Sequence, residues 1–380
     1  MSVKGTSILR ERNQKKVIEY VRKNEPCSRL EIAAALEVSK NTISLIVDQL
    51  IKDKVIKESG SLEKQGAGRP RIMLSLLENA YLSLGFLLGK NRIDYCIVNF
   101  RFQTVEEGGR KLEPNHNLIE ELIKLSKELI KKHPKIYGIG VGVPGLVDPN
   151  SGYVYHSANL EWRDVPLKRE LEKEFNHKIS IFNSVKVAAL RAIDEMRGGD
   201  FKSAFYIRIG EGVGGAFIIG NQVYNGNSWT AGEIGHISVD PLGPECSCGQ
   251  KGCLEKLISM NTFREFLQNN NPEVKVKHSQ KEWMDWVKSN LTAAKESSQY
   301  GEYLGRAIVH VIHLMNPQTV IVDSPYNTFE NFKNKTIAAV KVNTLPFPLL
   351  KTNIAFTEHA FSPAKGAAIS ILLQLEYHND

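Results

Sequence analysis

No stretch of this 380-residue chain approaches the roughly 20 consecutive apolar residues of a membrane span, so no membrane-spanning helix is expected. The first residues, MSVKGTSILRERNQKK, are polar and basic with no apolar stretch behind them, so a signal peptide is not expected either. Cysteine is scarce, with five in all. Cys27 and Cys96 stand alone, whereas Cys246, Cys248 and Cys253 crowd into eight residues. An odd, clustered set suits a reducing compartment and a metal site better than a disulfide framework. Solenoid repeats and low-complexity segments are also missing. What is present is a chain with 42% hydrophobic residues, long enough for two or three domains, expected to be cytoplasmic.

The net charge of +7 is unevenly placed. Residues 1–72 hold 15 Lys and Arg against 9 Asp and Glu, and the remainder 34 against 33. Nearly all of the basic excess thus lies in the first fifth of the chain. That is the footprint of a nucleic-acid-binding module beside a neutral domain, although a merely solvated basic face gives the same count.

Residues 8–23 have helical spacing, with Val17, Ile18 and Val21 on one face. Ser28 followed by Glu31 forms a capping box that opens a short helix, and Ser39 can cap the next, from Lys40 to Lys52. Val55–Lys57 and Arg71–Leu76 read as two strands around a Gly-rich, charged loop. Three helices and a hairpin make a winged helix-turn-helix. Its second motif helix would present Lys40, Asn41, Thr42 and Ser44 to DNA, with Ile43, Ile46, Val47 and Leu50 facing the core. In Gly66-Ala67-Gly68-Arg69-Pro70-Arg71, Arg69 and Arg71 can enter a narrow minor groove. A basic interdomain linker is the rival reading of the same residues.

From about residue 80 strands and helices alternate. Strand-like runs fall at 81–88, 94–99, 137–143, 179–182, 203–209, 215–219, 319–322 and 353–356. Helical runs fall at 117–132, 166–175, 185–196, 258–269, 280–289 and 293–315. This alternation predicts an α/β architecture in two lobes. Within it, His236, Cys246, Cys248 and Cys253 give H-x9-C-x-C-x4-C, a closed tetrahedral set for one structural zinc ion per chain.

The string CSCGQKGCLE (246–255), preceded by GEIGH (232–236), resembles the ROK family of bacterial repressors and sugar kinases. GIGVGVPGLVDPNSGYV (138–154), SANLEWRDVPL (157–167) and GEGVGGAFIIGNQVYNG (210–226) extend the resemblance over nearly the whole chain, and the N-terminal winged helix resembles the repressor branch. The resemblance implies a two-lobed actin-like, hexokinase-like (ribonuclease H-like) sugar-kinase fold over 77–380, after a winged helix-turn-helix over 1–76. It implies sugar-hydroxyl contacts at Gly145, Asn159, Asn183, Glu233, His236 and Glu255, with Ala158 and Glu161 near Asn159. His236 would use one ring nitrogen for zinc and the other for sugar.

Four positions depart from the kinase pattern. Ser184 stands where the kinases have the carboxylate base, and a hydroxyl is too weak a base to replace it. The first-strand loop, Gly85–Lys90, has no carboxylate for phosphate and Mg2+. Glu211 replaces the Thr of the second phosphate loop, and Asp323-Ser324-Pro325 replaces the glycines that admit adenosine. The expectation is therefore a sugar-responsive transcriptional repressor of carbohydrate-utilisation genes with no catalytic residue. It would bind operator DNA and a mono- or disaccharide as a homodimer or tetramer, without ATP, Mg2+ or a membrane. The alternatives are an ATP-dependent hexose or N-acetylglucosamine kinase and a constitutive DNA-binding protein whose sugar lobe is a scaffold.

Overall fold

A computed structural model describes residues 5–62, 71–113, 116–195, 202–220, 222–270, 291–357 and 362–375. The chain forms two compact units, Met1–Ser184 with Pro363–Asp380, and Val185–Ser362. The division expected after residue 76 falls inside the first unit.

In the first unit, α1 (Gly5–Asn24), α2 (Arg29–Leu36) and α3 (Lys40–Lys52) pack on an antiparallel sheet ordered β1-β3-β2, with β1 at Cys27–Ser28, β2 at Ile56–Leu62 and β3 at Arg71–Leu76. Local chemistry sets the helix starts. Ser28 Oγ accepts from the Glu31 N–H (3.4 Å) while the Glu31 carboxylate accepts from the Ser28 N–H (2.7 Å), the reciprocal cap read from the sequence. That backbone bond is the main force holding the Glu31 carboxyl below its ordinary range. Glu37 closes α2 in the left-handed region (φ 54°). Ser39 Oγ then accepts from the Thr42 N–H at 3.2 Å to start α3. Ile43, Ile46, Val47 and Leu50 of α3 meet Val17, Ile18 and Val21 of α1 in a dry core.

The rest of this unit is built on a five-stranded sheet ordered β11-β7-β4-β5-β6. Strands β4 (Leu82–Gly89), β5 (Arg92–Asn99) and β6 (Thr104–Lys111) form an antiparallel meander, and β7 (Ile136–Val143) and β11 (Lys178–Asn183) run parallel to β4. Strand β6, TVEEGGRK, has no apolar alternation and escapes a reading by hydropathy. It is an edge strand, where charge guards against unwanted pairing. A second sheet of short strands, β8 (Leu146–Asp148), β9 (Tyr153–Ser157) and β10 (Trp162–Val165), also went unread. Helices α4 (Leu118–Lys132) and α5 (Leu167–Glu172) complete the unit with the C-terminal helix, Pro363–Leu375. That helix lies directly on the sheet. A side chain at Gly85 or Gly140 would run into the carbonyl oxygens of Ala364 or Ala367, and Ser83 Oγ donates to the Ala368 carbonyl at 2.7 Å. Ala364, Ala368, Ile369 and Leu372 then join Val17, Val21, Ile46 and Leu50 in one apolar cluster. Polar contacts add to it. The Arg22 guanidinium sits over the Phe102 ring (3.9 Å) and donates to the Phe100 carbonyl, and Arg101 pairs with Glu25 (2.6 Å) and Glu78 (2.7 Å).

The second unit holds a sheet ordered β14-β13-β12-β15-β16, with β12 (Ser203–Ile209), β13 (Val213–Ile219) and β14 (Gln222–Tyr224) antiparallel and β15 (Thr319–Asp323) and β16 (Asn353–Thr357) parallel to β12. This repeats the order of the first unit's sheet, the duplicated topology expected of the actin-like class. Its helices are α6 (Ser184–Glu195), α7 (Leu254–Ile258), α8 (Met260–Asn270), α9 (Leu291–Met315), α10 (Glu330–Asn343) and α11 (Pro346–Lys351). The helix read from 258 to 269 begins at Met260, because Ser259 Oγ accepts from the Thr262 N–H and caps it. The helix read at 280–289 lies outside the described residues. Core residues Phe205, Ile207, Val320 and Val322 of the sheet pack on Leu304, Ile308 and Ile312 of α9 and Phe332 of α10. No helix among the described residues is long and apolar enough to cross a membrane.

Candidate metal centre and ligand-binding residues

The cysteine loop folds back on itself through short backbone bonds. The Cys246 N–H donates to the Gln250 carbonyl (2.8 Å), the Gly249 N–H to the Cys246 carbonyl (2.9 Å) and the Val239 N–H to the Gly252 carbonyl (2.9 Å). Gly252 adopts φ 67° with the Asp240 carbonyl where a Cβ would be, so no other residue fits. His236 enters from a short 3-10 turn, Ile234–His236. The result brings one ligand atom from each of His236, Cys246, Cys248 and Cys253 within 4.8 Å of one another. Cys246 Sγ lies 3.8 Å from His236 Nδ1, and Cys248 Sγ 3.6 Å from Cys253 Sγ. Donors bound to one tetrahedral ion at about 2.3 Å stand about 3.8 Å apart, so the set fits a metal ion. Burial and the neighbouring thiols push Cys253 up to about 12. A divalent cation would reverse that, which is what such a cluster is suited to.

Beside this centre in the second unit stand three further groups. Glu255, in the first turn of α7, accepts from the Val213 N–H at 2.9 Å and lies over Gly212, where any Cβ would strike its carboxylate. Glu233, one turn before His236, has its carboxyl pushed up by burial and by Glu255, and drawn back by His236 and Lys186. Lys186, missed in the sequence, sits in the first turn of α6 and donates to Asn225 Oδ1 (2.9 Å) and the Trp229 carbonyl (2.7 Å). Burial lowers its pKa while Glu233 opposes the shift. The only local signal for it was its position three residues after Asn183.

In the first unit, Gly145 follows β7 with φ 142°, and the Asn183 amide at the end of β11 donates to its carbonyl at 2.9 Å. Ser157 Oγ donates to the Pro144 carbonyl and accepts from the Leu160 N–H, tying the Ala158–Leu160 turn, and Asn159 with it, to the same point. Ser157 was not singled out in the sequence. Glu161 pairs with Lys90 at 2.5 Å. Ser184 is buried at the start of α6.

The remaining kinase-departure positions are occupied by ion pairs. Glu211 bonds Arg264 at 2.7 Å. Asp323, buried at the end of β15, pairs with Arg208 of β12 at 2.7 Å and accepts a short hydrogen bond from the Tyr206 hydroxyl. Ser324 Oγ accepts from the Tyr326 N–H and caps the turn that follows.

On the winged helix, Lys40 and Asn41 are exposed, whereas Thr42 and Ser44 are half-buried and the Thr42 hydroxyl bonds Ser39 Oγ at 2.8 Å. Arg71 opens β3 and lies 3.8 Å from Glu31. Arg69 lies outside the described residues. Leu45, one turn beyond Asn41 on the same face, is 70% exposed and was not read as a contact residue.

A winged helix-turn-helix DNA-binding profile matches residues 10–57, and the ROK family profile matches residues 83–369. The xylose repressor of Bacillus subtilis strain 168 is 29% identical over 329 residues, covering 85% of this chain and 84% of the relative. The DNA-binding transcriptional dual regulator NagC of Escherichia coli K12 is 24% identical over 369 residues, covering 92% and 89%. Among solved structures, a ROK family transcriptional regulator homologous to the E. coli MLC protein superposes with a TM-score of 0.82 at 20% identity, over 97% of this chain and 99% of that one.

Proposed function

The chain belongs to the ROK family and carries a winged helix-turn-helix ahead of the family domain, and from that premise we propose that it is a cytoplasmic, sugar-responsive repressor of carbohydrate-utilisation genes. Residues 1–76 bind operator DNA, with Lys40, Asn41, Thr42 and Ser44 at base edges and Arg69 and Arg71 at the minor groove. Residues 77–380 bind the effector, a mono- or disaccharide. Gly145, Asn159, Asn183, Glu233, His236 and Glu255 take its hydroxyls, since amides, carboxylates and imidazole satisfy several hydroxyls at once and reject analogues lacking one. One zinc ion at His236, Cys246, Cys248 and Cys253 is structural. All four positions belong to protein, so it supplies no reactive water, and it fixes the His236 ring so that Nε2 can meet a hydroxyl.

The observation that carries the regulatory reading is the apolar cluster joining the winged helix to the C-terminal helix, which packs on the same sheet as Asn183 and Gly145. A rearrangement of those strands on sugar binding therefore reaches α3 through packed side chains, and a coupling of ~1–3 kcal/mol changes operator affinity by about 5–150-fold. Release by sugar is the sense that suits a repressor of catabolic genes. Phosphoryl transfer is disfavoured because Ser184 cannot act as the base.

The test is calorimetry of the metal-loaded protein against a panel of sugars, with xylose and N-acetylglucosamine first, repeated with a non-hydrolysable ATP analogue. Micromolar sugar binding without nucleotide binding, and weaker operator binding with sugar present, are expected. Clear binding of the ATP analogue would overturn the reading in favour of a kinase.

A further inference from the structure

Lys186 carries its charge where local physics disfavours one. It stands in the first turn of α6, at the positive end of the helix dipole, and it is half-buried. A lysine on an ordinary helix face keeps its ammonium in water. This one is committed to the chain between β14 and the Ile234–His236 turn. Its Nζ donates to Asn225 Oδ1 at 2.9 Å and to the Trp229 carbonyl at 2.7 Å. Both acceptors belong to one loop, which the Ala231 N–H closes onto the Asn225 carbonyl at 3.1 Å. Within it Trp229 holds the left-handed conformation (φ 59°), which a non-glycine residue keeps only where its surroundings impose it. Next in the chain, Gly232 (φ 104°) lies so close to β13 that a Cβ there would run into the Gly215 carbonyl oxygen. Glu233 follows at once, and its carbonyl accepts from the His236 N–H at 3.1 Å. The chain thus reaches Glu233 through two anchors, the Lys186 ammonium at Asn225 and Trp229 and the β13 backbone at Gly232.

We propose that Lys186 is a positioning residue for the effector, holding the 225–231 loop and the Glu233 carboxylate in the arrangement that receives sugar hydroxyls. It acts in two ways. Charge-assisted hydrogen bonds to a backbone carbonyl and a side-chain amide fix the loop more firmly than neutral ones would. The ammonium also attracts the Glu233 carboxylate, and partial burial strengthens that attraction. Without the ammonium, Asn225 Oδ1 and the Trp229 carbonyl lose a donor in half-buried surroundings. The loop must then shift to bring them to water, since leaving them unsatisfied is costly. The carboxylate four residues beyond Trp229 loses its partner charge and one of its two backbone anchors in the same step.

The inference rests on the reading of Glu233 as a sugar ligand, so one arm of its test needs no sugar. The full metal-loaded chain is compared with Lys186→Met, which keeps the stem and removes the charge, and with the milder Asn225→Ala. Hydrogen exchange followed by mass spectrometry on peptides covering 225–233 reports the loop, and calorimetry with the sugar that the parent binds reports the site. In Lys186→Met the peptides should exchange faster at unchanged metal content, and sugar affinity should fall about 10-fold, the loss expected for a hydrogen bond to a charged group. Asn225→Ala should fall between the two. In a Glu233→Gln background Lys186→Met should cost little more, because the lysine acts through that carboxylate. Equal losses in both backgrounds, which a merely structural role predicts, overturn the inference. So does unchanged exchange over 225–233, or faster exchange with undiminished sugar affinity. A parent that binds no sugar refutes the sugar reading and the effector role with it, and the exchange arm then shows by itself whether Lys186 anchors the loop.

Discussion

Asp323 offers the sharpest test of how the stretch 323–325, expected from the resemblance to replace adenosine-admitting glycines, is held in this chain. Its carboxylate is buried beside the Arg208 guanidinium at 2.7 Å and accepts the hydroxyl proton of Tyr206, a side chain with no exposed surface. Asp323→Asn keeps the shape and removes the charge, leaving the Arg208 guanidinium, its side chain only 24% exposed, without its carboxylate. Breaking a buried pair by removing one partner costs about 3–5 kcal/mol, whereas removing both charges is often near neutral. A unit the size of Val185–Ser362 loses about 2–4 °C per kcal/mol, so Asp323→Asn should lower its calorimetric transition by roughly 6–20 °C. The double change Asp323→Asn/Arg208→Met should recover most of that loss. Differential scanning calorimetry in the presence of zinc is the assay. A shift below about 2 °C for the single variant, or a double variant no better than the single, refutes the argument. The same physics explains why glycines placed at 323–325 should fail to create an adenosine site. They would strip the carboxylate from Arg208 and destabilise the sheet before any nucleotide could bind.

Cys253→Ser is expected to abolish stoichiometric metal by elemental analysis and to weaken sugar binding by about 10–100-fold, because His236 loses the ion that orients its ring. Undiminished sugar affinity without metal would separate the two roles. Glu106 is held down to about 2, from an ordinary value near 4.5, chiefly by hydrogen bonds from Lys132 and His133. A depressed carboxylate contributes stability above its unfolded pKa that is lost as the pH falls toward 2, so Glu106→Gln should flatten the decline in melting temperature between about pH 4.5 and 2. Equal pH slopes for the two proteins would discount that cluster. On the proposed reading of α3 as the DNA-contacting helix, Leu45 presents an exposed apolar tip beside Asn41, suited to the C5-methyl of thymine. Replacing a contacted thymine by deoxyuridine should cost the parent about fourfold in affinity, from roughly 0.8 kcal/mol per methyl-sized group, and Leu45→Ala nothing. Equal sensitivity in both proteins would exclude the contact.

The legible parts of this protein share one property. Ser28 and Glu31, Ser39 and Thr42, and the four candidate metal ligands between 236 and 253 are close in the chain, so spacing alone restricts them to a few geometries. The strands that were missed are equally instructive. β6 carries TVEEGGRK because an edge needs charge more than burial, and β8 to β10 lie in turn-rich sequence too short for a period to show.

By itself, then, the amino-acid sequence determined the winged helix, the clustering of His236 with the three cysteines and the alternation of strands and helices, because each rests on local spacing, capping and turn chemistry. Tertiary structure alone decided the rest. It set Asp323 against Arg208 across two strands 115 residues apart, brought Lys186 to Asn225 and Trp229, tied Ser157 to Pro144, and placed the C-terminal helix against the winged helix. Such pairs have no periodic trace in the chain. Strand order and the burial of apolar faces bring them together, and their charges and hydrogen bonds acquire their strength only once water has been removed around them.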